Sequence, residues 1–297
     1  MKYKVTHTTT YEYTAMVSVS QNIARLTPRP TPLQTCSYHR LQVTPPPQQT
    51  GKRTDYFGNS VATFTILQAH RRMAVTAVSK VAVVGRPPSG YEASLPWDRV
   101  RDSLAVDHTR AGLDAHQFCF PSPHVPASAA LGEYARASFP PGRPLVEAIL
   151  DLTMRIHSDF KYDPAATTVS TPIDEVFQRR RGVCQDLAHV QIGCLRALGL
   201  AARYVSGYLR TYPPPGKPRL VGADASHAWI AVYGGGLGWI DIDPTNNSLP
   251  GDEHITIAWG RDYSDVCPIS GMFTGGGQHS MVVSVDVEPL NESQYLK

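Results

Sequence analysis

One stretch of the sequence, DASHAWIAVYGGGLGWIDIDPTNN at residues 224–247, constrains the fold more than any other. Two runs that alternate between large apolar and other side chains flank a short connection, GGGLG. Alternation with a period of two is typical of β-strands, and a tight glycine-rich connection brings consecutive strands together as an antiparallel hairpin. The sequence therefore predicts a hairpin in this region.

The register of this hairpin decides which carboxylate can meet the histidine of its first strand. His227 lies on one face of that strand, and Asp241 and Asp243 share a face of the second strand. If Tyr233 pairs with Trp239, Asp243 becomes the diagonal neighbour of the histidine, with Cα atoms about 7–8 Å apart. A register shifted by two residues places the two side chains directly opposite, and Asp241 competes only after a shift of four. Asp243 is therefore the predicted partner of His227.

A cysteine lies at the start of a predicted helix within RRRGVCQDLAHVQIGCLRALGL, residues 179–200. On a helical wheel Cys184 falls in the first turn, on an apolar arc. The opposite side carries Gln185, Asp186, His189, Gly193 and Arg196. The free N–H groups and the dipole of a helix N-terminus stabilise a thiolate and can bind an oxyanion. Burial statistics alone favour a small core side chain, so the helix by itself leaves both interpretations open.

The cysteine, the histidine and the aspartate together have the composition of a catalytic triad. In such a triad the thiolate attacks a carbonyl carbon, the histidine transfers the proton, and the aspartate holds one histidine tautomer. This combination favours Cys184 as a nucleophile over Cys184 as a core residue. No chemistry is assigned to five other histidines: His189 is predicted on the solvent side of the cysteine helix, His254 in isolation, and His7, His39 and His70 as surface or strand residues.

Composition limits the classes of partner. The chain has 297 residues, 42% hydrophobic and 18% charged, with a net charge of +3, which is typical of a globular protein and not of a nucleic-acid surface. The sequence contains no run of 18 apolar residues, so no membrane-spanning helix is expected. The N-terminus lacks the apolar region of a secretory signal. Five cysteines without a CxxC pair favour a reducing compartment and exclude a zinc motif. We expect a cytoplasmic protein with no metal and no cofactor.

The chain divides into three regions of different texture. Residues 1–90 alternate in short β-rich runs separated by proline clusters, which predicts an all-β sandwich-like domain. Residues 91–142 are predicted to be a connector with short helices. Residues 143–297 contain three helical segments, then strands, and end in the alternating run HSMVVSVDVEPL. The predicted fold class is α+β, with the cysteine helix packed on an antiparallel sheet and the final strand included in this last domain.

The motifs GVCQDLAH, SHAW and GWIDIDPTNN, in that order, resemble the transglutaminase-like core of the papain-like cysteine enzymes, over about residues 143–250. HTTTYEY, RLTPRP, DYFGN, FKYDPAATTVSTP and GRDYSDVCPISG are similar to bacterial transglutaminase-like proteins that carry a β-rich N-terminal domain. The resemblance implies Cys184 as nucleophile, His227 as base and Asp243 as orienting residue. It also implies action on amide bonds, as a protease or amidase and not as a protein cross-linker.

The prediction for function is hydrolysis of a peptide or isopeptide amide through a thioester on Cys184. Two alternatives stay open: an acyltransferase with an amine acceptor, and a non-catalytic peptide-binding module on the same fold. The Cys184 backbone N–H is one candidate oxyanion donor, and Tyr162 is a candidate side-chain donor. Predicted cleft residues are Tyr208, Asp224, Ser226 and Trp229, the last equally compatible with the core. The N-terminal domain is interpreted as structural support, with a recognition or dimerisation surface as the alternative.

Overall fold

The structure is a computed structural model that describes residues 1–85, 91, 94–212 and 225–296. Its first part is a sheet whose central strand, β1, runs over 23 residues. β1 pairs with β5 along its first half and with β4 along its second half, and the register shifts between Glu12 and Val17. The strand order is β2-β5-β1-β4-β3. These strands are β1 (Lys2–Ala24), β2 (Gln34–Thr44), β3 (Gln49–Thr54), β4 (Ser60–Ile66) and β5 (His70–Val83).

The next six helices along the described chain belong to the second part of the fold. They are α1 (Trp97–Ala105), α2 (Arg110–His116), α3 (Ala129–Arg136), α4 (Leu145–Asp159), α5 (Ile173–Arg179) and α6 (Cys184–Ala197), with a short 3-10 turn at Gln117–Cys119. Helix α6 contacts α3, α4 and α5. Two short strands, β6 (Lys161–Tyr162) and β7 (Arg181–Gly182), pair in parallel just before α6 and fix the point at which that helix begins.

Helix α6 is buried on every side, which corrects the two-faced helix that its wheel predicted. Every residue from 186 to 196 is buried, including His189, which was expected to face solvent. The polar side chains find partners inside the protein. The His189 Nε2 accepts a hydrogen bond from the Tyr263 backbone N–H at 3.2 Å, and the Arg196 guanidinium donates to backbone carbonyls of Ala202 and Arg261. A wheel cannot show this because it records one helix without its neighbours.

The second sheet packs on α6 and carries the hairpin. Its strands are β8 (Ala202–Leu209), β9 (Ala225–Tyr233), β10 (Trp239–Ile242) and β11 (His254–Gly260), in the antiparallel order β10-β9-β8-β11. Trp239 pairs with Tyr233, the first of the registers considered from sequence. The described ladder ends at Ile242, just before Asp243 and Pro244, because proline has no N–H to donate.

The last two strands leave this second part and join the first sheet. After α7 (Tyr263–Val266), β12 (Ile269–Gly275) and β13 (His279–Pro289) both pair antiparallel with β1, and α8 (Glu292–Leu296) ends the chain. The predicted strand is therefore present, but its assignment to the catalytic part differs from the structure. Alternation predicts a strand without predicting which sheet it joins. No helix within the described ranges is long and apolar enough to cross a membrane.

Candidate active site

Cys184 is the first residue of helix α6. At that position its backbone N–H has no carbonyl one turn earlier to bond, so it stays available. The buried Asp186 carboxylate fixes the start of the helix, because it accepts the Val183 N–H at 2.8 Å and the Thr167 hydroxyl at 2.7 Å. Gly182 is required beside it, since a Cβ there would lie 2.6 Å from the Asp186 Oδ2. The thiol is thus placed by a helix end that a buried carboxylate caps.

The His227 imidazole lies between this thiol and a buried carboxylate. Its Nε2 is 2.6 Å from the Asp243 Oδ2, so that nitrogen carries the proton and donates it to the carboxylate. Cys184 and His227 line the same cavity, and the cysteine side chain interacts with the ring in a way that raises the pKa of His227. Nδ1 is the nitrogen left for that contact. The imidazole is 9% exposed. The structure therefore brings together the three residues that the sequence nominated as a triad.

Asp243 is fully buried, and its carboxylate is saturated with donors. Oδ2 accepts from His227, from the Asn246 amide at 2.7 Å and from the His254 Nε2 at 3.1 Å. Oδ1 accepts the backbone N–H groups of Thr245 and Asn246 at 2.9 and 3.2 Å. Burial by itself would raise the pKa of Asp243, but these hydrogen bonds outweigh it and hold the pKa well below its usual range.

The expectation that His254 is isolated is wrong. It begins β11, contacts Trp229 edge to face with ring centroids 5.3 Å apart, and its side chain is 9% exposed. A carboxylate can only accept, so the His254 Nε2 is the protonated nitrogen of that ring as well. Local sequence gave no signal for this contact, because it depends on β11 joining the far side of β8.

The electrostatic balance favours a protonated His227. Burial by itself lowers the pKa of this histidine, but the hydrogen bond to the Asp243 carboxylate and the interaction with Cys184 outweigh burial and raise the pKa to about 10. A protonated imidazole beside a cysteine is the ion-pair arrangement in which the sulfur is the nucleophile. The same ring can then give its proton to a leaving group.

His227, Asp243 and His254 are also a set of side chains whose ligand atoms lie close enough to hold a metal ion. In the structure these atoms are joined to one another, since both imidazoles donate to the same carboxylate oxygen. The distances of 2.6 and 3.1 Å are hydrogen-bond lengths. We therefore interpret the cluster as a hydrogen-bonded group in which the carboxylate of Asp243 binds both His227 and His254.

A cavity of about 230 Å³ opens at the thiol. It is lined by Cys184, Gln185, Ser226 and His227, together with Tyr204 and Tyr263. The helical wheel places Gln185 on the polar side of the helix, and sequence reasoning did not predict it as a site residue. Its position directly after the cysteine, at the helix N-terminus, could have indicated that it lies at the site. Ser226, which sequence reasoning predicted in the cleft, lines this cavity.

The other nominated residues lie in different places. Tyr162 is half exposed on β6, next to Gly182 in register, so its ring is close to Cys184. Tyr208 is buried, and its hydroxyl is hydrogen bonded to the His7 Nδ1 at 2.9 Å. It is not one of the described residues that line the cavity. Trp229 is buried and lines a separate cavity of about 640 Å³. Asp224 lies outside the described residues.

Comparison with known proteins matches two family models to this chain. The family described as the bacterial transglutaminase-like N-terminal region matches residues 3–82, and the transglutaminase-like superfamily matches residues 134–244. An uncharacterized protein of Mycobacterium tuberculosis (strain ATCC 25618 / H37Rv) is 42% identical over 97% of this chain and 93% of its own length. This chain belongs to the bacterial transglutaminase-like family.

Two further similarities bear on fold and chemistry. The crystal structure of a proposed cysteine protease from Cytophaga hutchinsonii has the same fold, with a TM-score of 0.76 and 23% identity over 98% of this chain and 92% of that one. A protein-glutamine gamma-glutamyltransferase of Pseudomonas aeruginosa is 33% identical over 128 residues, 42% of this chain and 19% of that protein. The Pseudomonas aeruginosa relative is thus named for acyl transfer, and the Cytophaga hutchinsonii structure shows that the fold is shared.

Proposed function

We propose that this protein is a cysteine hydrolase that cleaves an amide bond of a peptide or protein through a thioester on Cys184. The observation that carries the proposal is the contact of Cys184, at a helix N-terminus, with a histidine whose other nitrogen is bonded to a buried aspartate. A core cysteine would need neither partner. A non-catalytic binding module would not need a protonated histidine beside its thiol.

The first half of the reaction forms the thioester. The Cys184 sulfur bonds to the amide carbonyl carbon, and the carbonyl oxygen takes the negative charge. The Cys184 backbone N–H is positioned to stabilise that oxygen, and Tyr162 stays our candidate for the side-chain donor. The carbon–nitrogen bond then breaks as His227 gives its proton to the departing nitrogen, which leaves as an amine.

The second half releases the acyl group. His227, now neutral, takes a proton from water while the water oxygen bonds to the thioester carbon. The carbon–sulfur bond breaks, a carboxylic acid leaves, and the thiolate and the protonated imidazole are restored. Cys184 is half-buried and not enclosed, which favours water as the acceptor. An amine can replace water in this step, and the similarity to the Pseudomonas aeruginosa gamma-glutamyltransferase supports that alternative.

Hydrolysis and amine transfer are separated in one assay. Fluorescein-labelled casein is incubated with wild-type protein in the presence of dansylcadaverine, and Cys184→Ala is the matched control. The proposal predicts small fluorescent fragments with little dansyl incorporation, both absent in the variant. Dansyl incorporation without fragments would establish the acyltransferase instead, and wild-type cleavage no faster than in Cys184→Ala would contradict the proposal.

All five cysteines are free, and a cytoplasmic location stays a prediction.

A further inference from the structure

Strands of the N-terminal sheet form the roof of the catalytic cavity. His7, Thr9 and Tyr11 of β1 and Met281 and Val283 of β13 line the same 230 Å³ cavity as Cys184 and His227. The register pairs Tyr11 with Met281 and Thr9 with Val283. Alternate residues of a strand share a face, and paired residues of neighbouring strands lie side by side. These five side chains therefore form one continuous patch, which we call the roof.

The roof continues a face that is otherwise packed on the catalytic part. Further along the same two strands, the same face carries Tyr3, Val5, Val285 and Val287, all buried in one hydrophobic cluster with residues of the helices and the second sheet. Met281 and Val283 are 56% and 43% exposed. The apolar face thus runs out of the interface and over the thiol, where the described residues leave it partly uncovered.

The roof itself carries no charged side chain that could bind a charged substrate group. Among the described lining residues there is no Lys, Arg, Asp or Glu. The His7 ring is bonded at both nitrogens, to the Thr9 hydroxyl at 2.8 Å and to the Tyr208 hydroxyl at 2.9 Å. Burial lowers the pKa of His7 to about 4, so it is neutral near pH 7. A charged substrate side chain packed against the roof, away from the catalytic His227, would lose water without gaining an ion pair there.

We propose that the roof is a specificity subsite that takes one apolar side chain of the peptide substrate, next to the amide bond that is cleaved. The proposal rests on the proposed function and adds the class of substrate. A volume of about 230 Å³ is below the about 300–1,000 Å³ typical of small-molecule pockets, which suits one side chain and its amide. The N-terminal sheet then contributes directly to substrate recognition, in addition to supporting the fold.

Covalent probes test the roof without knowledge of the natural substrate. Acetyl-Ala-Ala-X and acetyl-Ala-X-Ala chloromethyl ketones are prepared with X as Leu, Asp or Lys, and the rate of Cys184 alkylation is measured by mass spectrometry. In the wild type, Leu should react at least ~10-fold faster than Asp or Lys at one of the two positions, a discrimination typical of an apolar pocket. Met281→Lys should reverse the Leu-over-Asp preference at that position.

A neighbouring residue provides the matched control. Val282 lies between the two roof residues of β13, is 65% exposed, and does not line the cavity. Val282→Lys adds the same charge on the opposite face and should leave all relative rates unchanged. Equal rates for the three probes, or an equal effect of Met281→Lys and Val282→Lys, would overturn the subsite while leaving the proposed function intact. If Cys184 reacts with neither the ketones nor iodoacetamide faster than the other cysteines do, the proposed function fails as well.

Discussion

Replacing His254 tests whether the second histidine on the aspartate supports the catalytic site. His254→Phe keeps an aromatic ring against Trp229 and removes one of three side-chain donors from the Asp243 Oδ2. The carboxylate retains His227, Asn246 and two backbone N–H groups, so it is not left unpaired. The expected cost in free energy of unfolding is therefore that of one hydrogen bond to a charged group, about 1.5–3 kcal/mol.

The same substitution should slow the reaction of the thiol. Loss of a residue that orients a metal ligand typically costs about 10–100-fold in activity. We expect a loss of the same order here, because His227 depends on Asp243 for its orientation. Urea unfolding followed by circular dichroism measures the stability, and iodoacetamide labelling of Cys184 at pH 6.5 measures the rate. His254→Gln, which retains an N–H donor, should recover part of both. If His254→Phe changes stability by less than about 0.5 kcal/mol and leaves the labelling rate unchanged, His254 does not position the aspartate.

Two further predictions concern the histidine–aspartate pair and the N-terminus of α6. The folded pKa of His227 is raised to about 10, and that of Asp243 lies below its ordinary value, so their contribution to stability is largest between about pH 4 and 6.5. The difference in unfolding free energy between wild type and Asp243→Asn should therefore shrink as the pH rises from 6.5 to 10, and a difference independent of pH would contradict the assigned pairing. Gly182→Ala would place a Cβ 2.6 Å from the Asp186 Oδ2, and the lost helix cap should cost about 0.5–2 kcal/mol in thermal or urea unfolding; unchanged stability would refute the role of that carboxylate.

The geometry of the hairpin could be predicted because its determinants are local. The glycine connection and the period of two restrict the register to a few possibilities, and the observed pairing of Tyr233 with Trp239 is one of them. From that register alone Asp243, not Asp241, comes within reach of His227. Cys184 could be predicted as the third member of the site because a helix N-terminus can be recognised from the residues that flank it.

The features that sequence reasoning missed depend on pairing over long distances in the chain. β13 pairs with β1, about 270 residues away, and no local pattern distinguishes that sheet from the catalytic one. His254 reaches Asp243 only because β11 lies beside β8. The buried polar side of α6 was missed for a related reason, since polar residues such as His189 are tolerated inside when a backbone group from another element bonds them.

The most direct test of the account is the pH dependence of iodoacetamide labelling at Cys184, in wild type and in His227→Ala. The account predicts labelling at pH 6 that is far faster than at the other four cysteines and that is lost with the histidine, because the imidazole beside the sulfur activates it as a nucleophile. Slow labelling that rises only above about pH 8.5, as for an ordinary free thiol, and that does not depend on His227 would contradict it. Cys184 would then be a core cysteine, and the proposed hydrolase would be wrong.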